Sequence, residues 1–327
     1  MKVGIIGAGG WGTALALHLF RKGIDVILWV HSKETFQLIK EKRENIYYLP
    51  GFIIPEKIKI YLDLKLVVES SDSIILVVPS QHMREILTSL KETSLGNKTF
   101  LIASKGIEVK TGMRMSEVFK SVLGERDIAV LSGPNFSKEV ALRIPTASTV
   151  ASFDIDVAKF FQSLLTNEYF RVYTTSDMTG VELGGSLKNP LAIAAGISDG
   201  LGYGANTKST LITRGVREMI RFGNLFGANE RTFFGLSGIG DLVATSFSPL
   251  SRNRWFGEMV GRGIKAKSIL SSTKQVIEGV YTVKAVYEMK KEVDMPIVEE
   301  VYRIIYEGKS PILSVKSLME RELKEEI

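Results

Sequence analysis

The feature that most constrains this chain is a glycine cluster near its start, with the sequence G-A-G-G-W-G at residues 7–12. The cluster follows a short apolar run, Lys2–Ile6, and precedes an apolar stretch whose composition favours a helix. In a strand–turn–helix unit, Gly7 permits the tight turn, Gly9 lets a pyrophosphate approach the backbone, and Gly12 allows close packing of helix on strand. The unpaired N–H groups at a helix start attract phosphate. The cluster therefore predicts dinucleotide binding.

The same stretch has a second interpretation, as an export signal or membrane anchor. Residues Val3 to Phe20 carry no formal charge, and Lys2 precedes them. However, clustered glycines weaken a continuous apolar helix, and Arg21 and Lys22 follow where a signal peptide would have a small-residue cleavage site. No other run is long and apolar enough to span a bilayer. The sequence therefore predicts no membrane insertion and a cytoplasmic location.

Short apolar runs alternate with helical patterns in the first half of the chain. The predicted strands are Lys2–Ile6, Asp25–Val30, Ser73–Val78, Thr99–Ala103, Asp127–Leu131, Ala147–Ser152 and Tyr169–Tyr173. The predicted helices between them are Trp11–Lys22, Lys33–Glu44, Gln81–Lys91, Gly112–Leu123 and Asp154–Leu165. Strand–helix–strand repetition implies parallel strands with right-handed crossovers. The prediction is an α/β protein with an N-terminal Rossmann-like, doubly wound, mostly parallel sheet.

The strand signal fades after about Thr179, and helical patterns follow. They cover Val181–Gly196, Thr207–Phe226, Thr282–Glu292 and Pro296–Glu307. A chain of 327 residues is long enough for two domains. We therefore predict a dinucleotide-binding domain at 1–179 and an all-helical, substrate-binding and catalytic domain at 180–327.

Composition excludes several classes of chemistry. The absence of cysteine rules out disulfides, zinc–thiolate sites and thiol nucleophiles. Three widely spaced histidines make a histidine-rich metal site improbable, so no metal is expected. The net charge of +6 is a modest excess that favours anionic ligands. Because the basic residues form no long cluster, nucleic acid is not an expected partner.

The end of the second predicted strand bears on cofactor choice. An acidic residue there would bind the ribose 2′-hydroxyl of NAD, but the chain continues His31-Ser32-Lys33 instead. These side chains could meet a 2′-phosphate, or could simply form a solvated loop and helix start. NADP is favoured on this basis, and use of both NADP and NAD stays open.

Polar, glycine-containing segments occur at four further places. They are Ser104-Lys105-Gly106, Ser132-Gly133-Pro134-Asn135, Gly184-Gly185-Ser186-Leu187-Lys188-Asn189 and Ser251-Arg252-Asn253. The first two directly follow predicted strands, where doubly wound sheets bind their ligands. This places Lys105, Gly133 and Asn135 at the predicted site, although Lys105 could also be an ordinary surface lysine.

Lys188 is unusual because its surroundings in the sequence are apolar or small. A lysine in such a helix is rarely buried without a function, although its stem could also snorkel to solvent. If it faces a cleft, neighbouring cations would lower its pKa from about 10.4 toward neutrality. It could then exchange a proton with a reacting hydroxyl.

These motifs together resemble the bacterial type of NAD(P)-dependent sn-glycerol-3-phosphate dehydrogenase. The resemblance rests on G-A-G-G-W-G-T-A-L-A, Ser104-Lys105-Gly106, Ser132-Gly133-Pro134, Gly184 to Asn189, Gly240-Asp241-Leu242, Ser251-Arg252-Asn253 and Gln275 to Val280. The motifs run in the family's order from residue 4 to about residue 283. The resemblance implies interconversion of dihydroxyacetone phosphate and sn-glycerol 3-phosphate, a role in glycerophospholipid synthesis, and a homodimer.

The resemblance also implies roles for individual residues. Lys188 would be the proton acceptor, with Asn189, Lys105 and Asp241 completing the catalytic group. The residues implied to bind the phosphorylated substrate are Lys105, Gly133, Asn135, Lys188, Asp241, Ser251, Arg252 and Asn253. The residues implied to bind the cofactor are Gly7, Gly9, Gly10, Trp11, Gly12, His31, Lys105, Ser137, Arg252, Val276 and Glu278.

The chain departs from the family's usual pattern in three segments. Gly10 replaces a common serine, Asn135-Phe136-Ser137 replaces Ser-Phe-Ala, and His31 replaces a common arginine. Neutral histidine would hold a 2′-phosphate less firmly than arginine, so cofactor preference is the property most affected. A reductase of another small hydroxy or keto acid, and a dinucleotide-sensing binding protein without catalysis, are the competing hypotheses.

Overall fold

The computed structural model describes residues 1–273, 275–323 and 325–326. The chain divides into two compact units. The first unit consists of residues 1–105 and 113–182, and the second consists of residues 106–112 and 183–327. The chain thus leaves the first unit after Lys105, returns at Met113, and leaves again after Glu182.

The first unit is built on an eight-stranded sheet. Its strands are β1 (Lys2–Ile6), β2 (Asp25–Trp29), β5 (Lys59–Tyr61), β6 (Ser73–Leu76), β7 (Thr99–Ile102), β8 (Ile128–Ser132), β9 (Thr146–Ala151) and β10 (Phe170–Thr175), and a separate antiparallel pair is formed by β3 (Glu44–Asn45) and β4 (Leu49–Ile53). The sheet order is β10-β9-β8-β7-β6-β1-β2-β5. Neighbours are parallel except β8 and β9. This confirms the predicted doubly wound, mostly parallel sheet.

Helices connect the strands of this sheet. They are α1 (Gly10–Arg21), α2 (Lys33–Lys42), α3 (Leu64–Glu69), α4 (Met83–Ser89, after a short 3₁₀ turn), α5 (Met115–Leu123), α6 (Ser137–Ala141) and α7 (Ile155–Leu165). Successive strands add outward on opposite sides of β1, so the chain order reverses between β1 and β6. A reversal of this kind opens a crevice at the carboxyl ends of the two strands, where ligands bind in such folds.

The second unit is helical. Its helices are α8 (Met178–Gly200, which begins in the first unit), α9 (Ala205–Asn224), α10 (Asp241–Phe247), α11 (Arg252–Gly261), α12 (Ala266–Ser272), α13 (Glu278–Met289), α14 (Pro296–Tyr302) and α15 (Pro311–Met319). Its apolar core includes Leu183, Leu187, Phe222 and Val283, and also Ile107 from the short segment 106–112. The helical character predicted for this part of the chain is confirmed.

The elements that periodicity missed are short. Strand β5 has only three residues but pairs with β2 inside the main sheet. Helices α3 and α6 have six and five residues, too few to show a helical period. The helix predicted for Gly112–Leu123 begins three residues later, at Met115. Just before it, the backbone N–H of Arg114 donates a hydrogen bond to the Glu117 carboxylate.

The structure also bears on the alternative of a membrane anchor. In the described part of the chain, no helix is long and apolar enough to cross a bilayer. The uncharged N-terminal stretch is instead β1, the glycine turn and α1.

Candidate active site

The glycine turn joins β1 to α1 with no room for side chains at two of its positions. Gly7 has a φ of +117°, and a Cβ atom there would lie 2.5 Å from the Val77 carbonyl oxygen, just after β6. A Cβ atom at Gly12 would lie 1.8 Å from the Gly7 carbonyl oxygen. Both glycines are therefore required by the tight turn and by the close approach of helix to strand.

Gly9 and Trp11 leave groups available for a ligand at this turn. A Cβ atom at Gly9 would meet no atom within 4 Å, so the space beside its backbone is open. Gly9 precedes the first residue of α1, and the first N–H groups of a helix lack partners within it. The buried indole Nε1 of Trp11 has no hydrogen-bond partner among the described residues. An open backbone cradle with unused donors fits the pyrophosphate of a dinucleotide.

Gly10 and Ser137 lie beside each other. A Cβ atom at Gly10 would be 2.7 Å from the Tyr48 carbonyl oxygen and 3.1 Å from Ser137 Oγ. A serine in place of Gly10 would clash with the backbone at Tyr48, and the neighbouring hydroxyl is supplied by Ser137 on α6 instead. The two departures from the family's pattern are thus spatially linked.

His31 lies just beyond β2 and is exposed. Its ring packs against Trp29 with centroids 5.5 Å apart. Ser32 caps α2 by accepting a 3.3 Å hydrogen bond from Thr35 N, which occupies its hydroxyl locally. Lys33 is exposed at the first position of α2. His31 and Lys33 are therefore accessible to a ligand at the end of β2.

Lys105, Gly133 and Asn135 form one hydrogen-bonded cluster in the first unit. Lys105 Nζ donates to the Gly133 carbonyl oxygen over 2.8 Å and to Asn135 Oδ1 over 2.9 Å. Asn135 Nδ2 in turn donates to Ser148 Oγ over 3.1 Å. Gly133 has a φ of +138°, a conformation that other residues rarely adopt, and a Cβ atom there would press on Ser148 Cα at 2.9 Å. The strand ends thus bring together three predicted substrate-binding residues.

Lys188 lies within α8 in a buried polar cluster of the second unit. Its Nζ donates to Asp241 Oδ1 over 3.0 Å and to Thr245 Oγ1 over 2.7 Å. Thr245 Oγ1 also donates to Asp241 Oδ1 over 3.1 Å. Only 10% of the Lys188 side chain is exposed, so the lysine does not snorkel to solvent. A buried ammonium held by a carboxylate and a hydroxyl is an arrangement suited to proton transfer.

The carboxylate of Asp241 lies against the Lys188 ammonium. Local sequence patterns could not identify this partner, because it lies 53 residues away on another helix. Only the family resemblance placed Asp241 in the same catalytic group as Lys188.

Asn189 and Asn253 form a second buried pair in the same unit. Asn253 Nδ2 donates to Asn189 Oδ1 over 2.8 Å, and the backbone N–H of Gly279 donates to Asn253 Oδ1 over 3.0 Å. This links α8, α11 and α13. Pro190 directly follows Asn189 and removes one backbone donor from α8 at this point.

Arg252 is exposed at the first position of α11 and borders a cleft of about 370 Å³. Ser251 caps this helix by accepting a 3.1 Å hydrogen bond from Arg254 N. Val276 is half-buried just before α13, and Glu278 is its first residue. The cleft is lined by Pro249, Leu250, Ser251, Arg252, Trp255, Thr273, Gln275 and Ile277. A guanidinium at the edge of a cleft can bind a phosphate through two hydrogen bonds.

The predicted residues can be grouped within each unit. The first unit holds the glycine turn with Trp11 and Ser137, the exposed His31, and the Lys105 cluster. The second holds the Lys188 cluster, the asparagine pair, and the cleft beside Arg252. Sequence reasoning missed Thr245, Ser148 and Gly279. Thr245 stands four residues after Asp241, a spacing that places both on one helix face and could have revealed it; Ser148 and Gly279 gave no comparable local signal.

The two units together define a dinucleotide-binding oxidoreductase with a helical second unit. Residues 2–158 match the N-terminal region, and residues 177–316 the C-terminal region, of the family described as NAD-dependent glycerol-3-phosphate dehydrogenase. The chain belongs to this family.

Individual relatives match along nearly the whole chain. The glycerol-3-phosphate dehydrogenase [NAD(P)+] of Syntrophotalea carbinolica is 48% identical, with 100% of both chains covered. The protein of that name from a Thermoanaerobacter species is 45% identical over 100% of this chain and 99% of its own. The crystal structure of glycerol-3-phosphate dehydrogenase from Coxiella burnetii superposes with a TM-score of 0.95 at 41% identity, covering 98% of this chain and 99% of that one.

Proposed function

We propose that this chain interconverts dihydroxyacetone phosphate and sn-glycerol 3-phosphate, with NAD or NADP as the hydride carrier. The observation that carries the proposal is the buried cluster of Lys188, Asp241 and Thr245. It supplies a proton donor and acceptor of the kind that reduction of a carbonyl and oxidation of a hydroxyl require. Membership of the glycerol-3-phosphate dehydrogenase family supports the choice of substrate.

The residues of the chain have distinct tasks in this reaction. When bound, the reduced nicotinamide supplies the hydride that carbon 2 of the ketone accepts. Lys188 delivers a proton to the oxygen of that carbon, and in the reverse direction neutral Lys188 removes it. Asp241 and Thr245 hold Nζ in place before the reaction, so that little reorganisation is needed. Asn189 orients the reacting oxygen.

Charged and amide groups bind the remainder of the ligands. Arg252 binds the phosphate of the substrate, supported by Ser251 and Asn253, while Lys105, Gly133 and Asn135 contribute from the first unit. The glycine turn holds the dinucleotide through Gly7, Gly9, Gly10 and Gly12. The remaining cofactor contacts are assigned to Trp11, His31, Ser137, Val276 and Glu278.

A steady-state assay of dihydroxyacetone phosphate reduction tests this proposal, with NADPH and NADH in parallel. Oxidation of either cofactor that depends on dihydroxyacetone phosphate is the expected result. Reduction of non-phosphorylated keto acids instead would favour the related reductases. Binding of cofactor without turnover of any ketone would favour a dinucleotide sensor.

Cofactor preference follows from the end of β2. His31 and Lys33 are exposed there, and the segment carries no acidic residue for a ribose 2′-hydroxyl. We therefore expect NADPH to bind at least as tightly as NADH. A large preference for NADH would contradict this expectation.

The proposal extends to the oligomeric state of the protein, its cellular location and the roles of its two domains. The family resemblance supports a homodimer and a cytoplasmic location, and it supports cofactor binding by residues 1–179 and catalysis by residues 180–327. Sedimentation equilibrium of the full chain tests the dimer, and a mass equal to one chain would contradict it.

A further inference from the structure

The amides of Asn189 and Asn253 form a hydrogen-bonded chain whose direction is fixed by one backbone group. Gly279 N donates to Asn253 over 3.0 Å, and Asn253 donates to Asn189 over 2.8 Å. A backbone N–H can only donate, so the Asn253 atom facing it is the oxygen. The nitrogen of Asn253 therefore faces Asn189, and the atom of Asn189 that receives it is again an oxygen.

Close packing keeps this chain in place. Asn189 and Asn253 are 3% and 8% exposed. A Cβ atom at Gly279 would lie 2.6 Å from Asn253 Oδ1 and 3.1 Å from the Asn189 carbonyl oxygen, so only glycine brings its N–H this near. Reversing either amide would place two donors or two acceptors against each other, which is costly for buried groups.

The direction of this hydrogen-bonded chain determines which atom of the Asn189 amide is available to the substrate. Its Oδ1 is occupied by Asn253, and its Nδ2 makes no hydrogen bond to another residue in the part of the chain described. Nδ2 therefore remains as a donor, next in sequence to the Lys188 ammonium. A ketone oxygen can only accept a hydrogen bond, whereas a hydroxyl can donate or accept.

We propose that Gly279 is a positioning residue that commits Asn189 to donate a hydrogen bond to the carbon-2 oxygen of the substrate, a direction that the ketone requires, whereas a reversed Asn189 amide could bond only to the alcohol. This inference rests on the proposed function, in which Asn189 orients that oxygen. If the asparagine pair served only the phosphate or only the fold, ketone and alcohol would be affected equally, because both carry the same phosphate.

The variant Asn253→Asp tests this directly. Its carboxylate still accepts the Gly279 N–H but cannot donate, so Asn189 turns to donate from Nδ2 and presents its oxygen to the substrate. Calorimetry measures dihydroxyacetone phosphate binding to the NADP⁺ complex and glycerol 3-phosphate binding to the NADPH complex. We expect the Kd of the ketone to rise about tenfold more than that of the alcohol. The added charge acts on both phosphates alike and cancels in the ratio.

Gly279→Ala provides a second variant that leaves Asn253 chemically intact. The added methyl group displaces the Asn253 side chain, so we expect the same change in the ratio of Kd values, about threefold. Gly204→Ala is the matched control, because a Cβ atom there meets nothing within 4 Å. Its two Kd values should stay within about twofold of wild type.

The wild-type holoenzyme gives a measurement that needs no variant. The side-chain amide protons of Asn189 should shift more in NMR spectra on addition of dihydroxyacetone phosphate than on addition of glycerol 3-phosphate. Equal shifts, or an unchanged ratio of Kd values in a folded variant, would overturn the inference. Failure of the wild-type protein to bind either compound would instead overturn the proposed function.

Discussion

The glycine turn of the first unit and the buried clusters of the second unit form their candidate sites from different parts of the polypeptide. The glycine turn offers backbone N–H groups and open space, and apart from Trp11 its side chains are small or absent. In the second unit the groups that matter are buried side chains, joined across helices as Lys188 to Asp241 and Asn253 to Asn189. A backbone site tolerates little added volume, whereas a side-chain site tolerates little loss of a functional group.

The largest expected effect is on Lys188 in the second unit. Lys188→Ala should lower turnover about 100-fold or more, because it removes the group that transfers the proton. Steady-state kinetics with saturating cofactor measures this, and Lys267→Ala on α12, an exposed lysine, is the control. Turnover near that of wild type would contradict the assignment of Lys188 as the group that transfers the proton.

The next effect concerns Arg252. Arg252→Ala should raise the KM for dihydroxyacetone phosphate roughly tenfold to 100-fold, because a charge-assisted hydrogen bond to phosphate is lost. Arg262→Ala, just beyond the opposite end of α11 and with an exposed side chain, serves as the control. An unchanged KM in the Arg252 variant would remove this residue from the phosphate site.

Two glycines sharpen the description of the backbone site. Gly12→Ala should lower the free energy of unfolding by about 1–3 kcal/mol, because its methyl group would overlap the Gly7 carbonyl. A Cβ atom at Gly9 meets open space, so Gly9→Ala should change the free energy of unfolding by less than about 1 kcal/mol. It should still weaken cofactor binding, because the added methyl group occupies the space beside the backbone that the pyrophosphate would enter. Denaturant unfolding and cofactor titration separate the two effects; equal loss of stability in both variants would contradict the assignment.

The effect that is smallest over a single pH unit distinguishes the two units by the pH dependence of their stability. Burial lowers the pKa of His18 in α1 to about 4, and raises the pKa of Glu218 in α9 to about 8 despite hydrogen bonds from the N–H groups of Ile297 and Val298. His18 therefore stabilises the first unit above pH 6.5, an effect lost as pH falls to 4. Glu218 stabilises the second unit below pH 4.5, an effect lost as pH rises to 8.

In each unit the free energy of unfolding should change by at most about 1.4 kcal/mol per pH unit. Hydrogen exchange followed separately in each unit measures this change. Glu218→Gln should remove the pH dependence of the unfolding free energy in the second unit alone. His18→Gln, which keeps a donor for the Leu165 carbonyl, should remove that pH dependence in the first unit alone. A pH dependence of the same sign in both units would contradict the assignment.

The sequence predicted the backbone site better than the side-chain site for a physical reason. The glycine turn is contiguous, and strand and helix periods on either side identify it locally. The sheet was predictable from the same alternation, apart from strands such as β5 that are too short to show a period. Asp241 and Asn253 were expected near Lys188 and Asn189 only through the family resemblance. Their hydrogen bonds join residues 53 and 64 positions apart, which no local pattern specifies.

The short segment 106–112 has a consequence for how this protein is made. Ile107 belongs to the apolar core of the second unit, although the rest of that core begins at Leu183. During synthesis this residue leaves the ribosome long before its packing partners exist. The second unit therefore cannot complete its core until most of the chain has emerged. A fragment starting at residue 180 would lack the Ile107 side chain and would leave a cavity in that core.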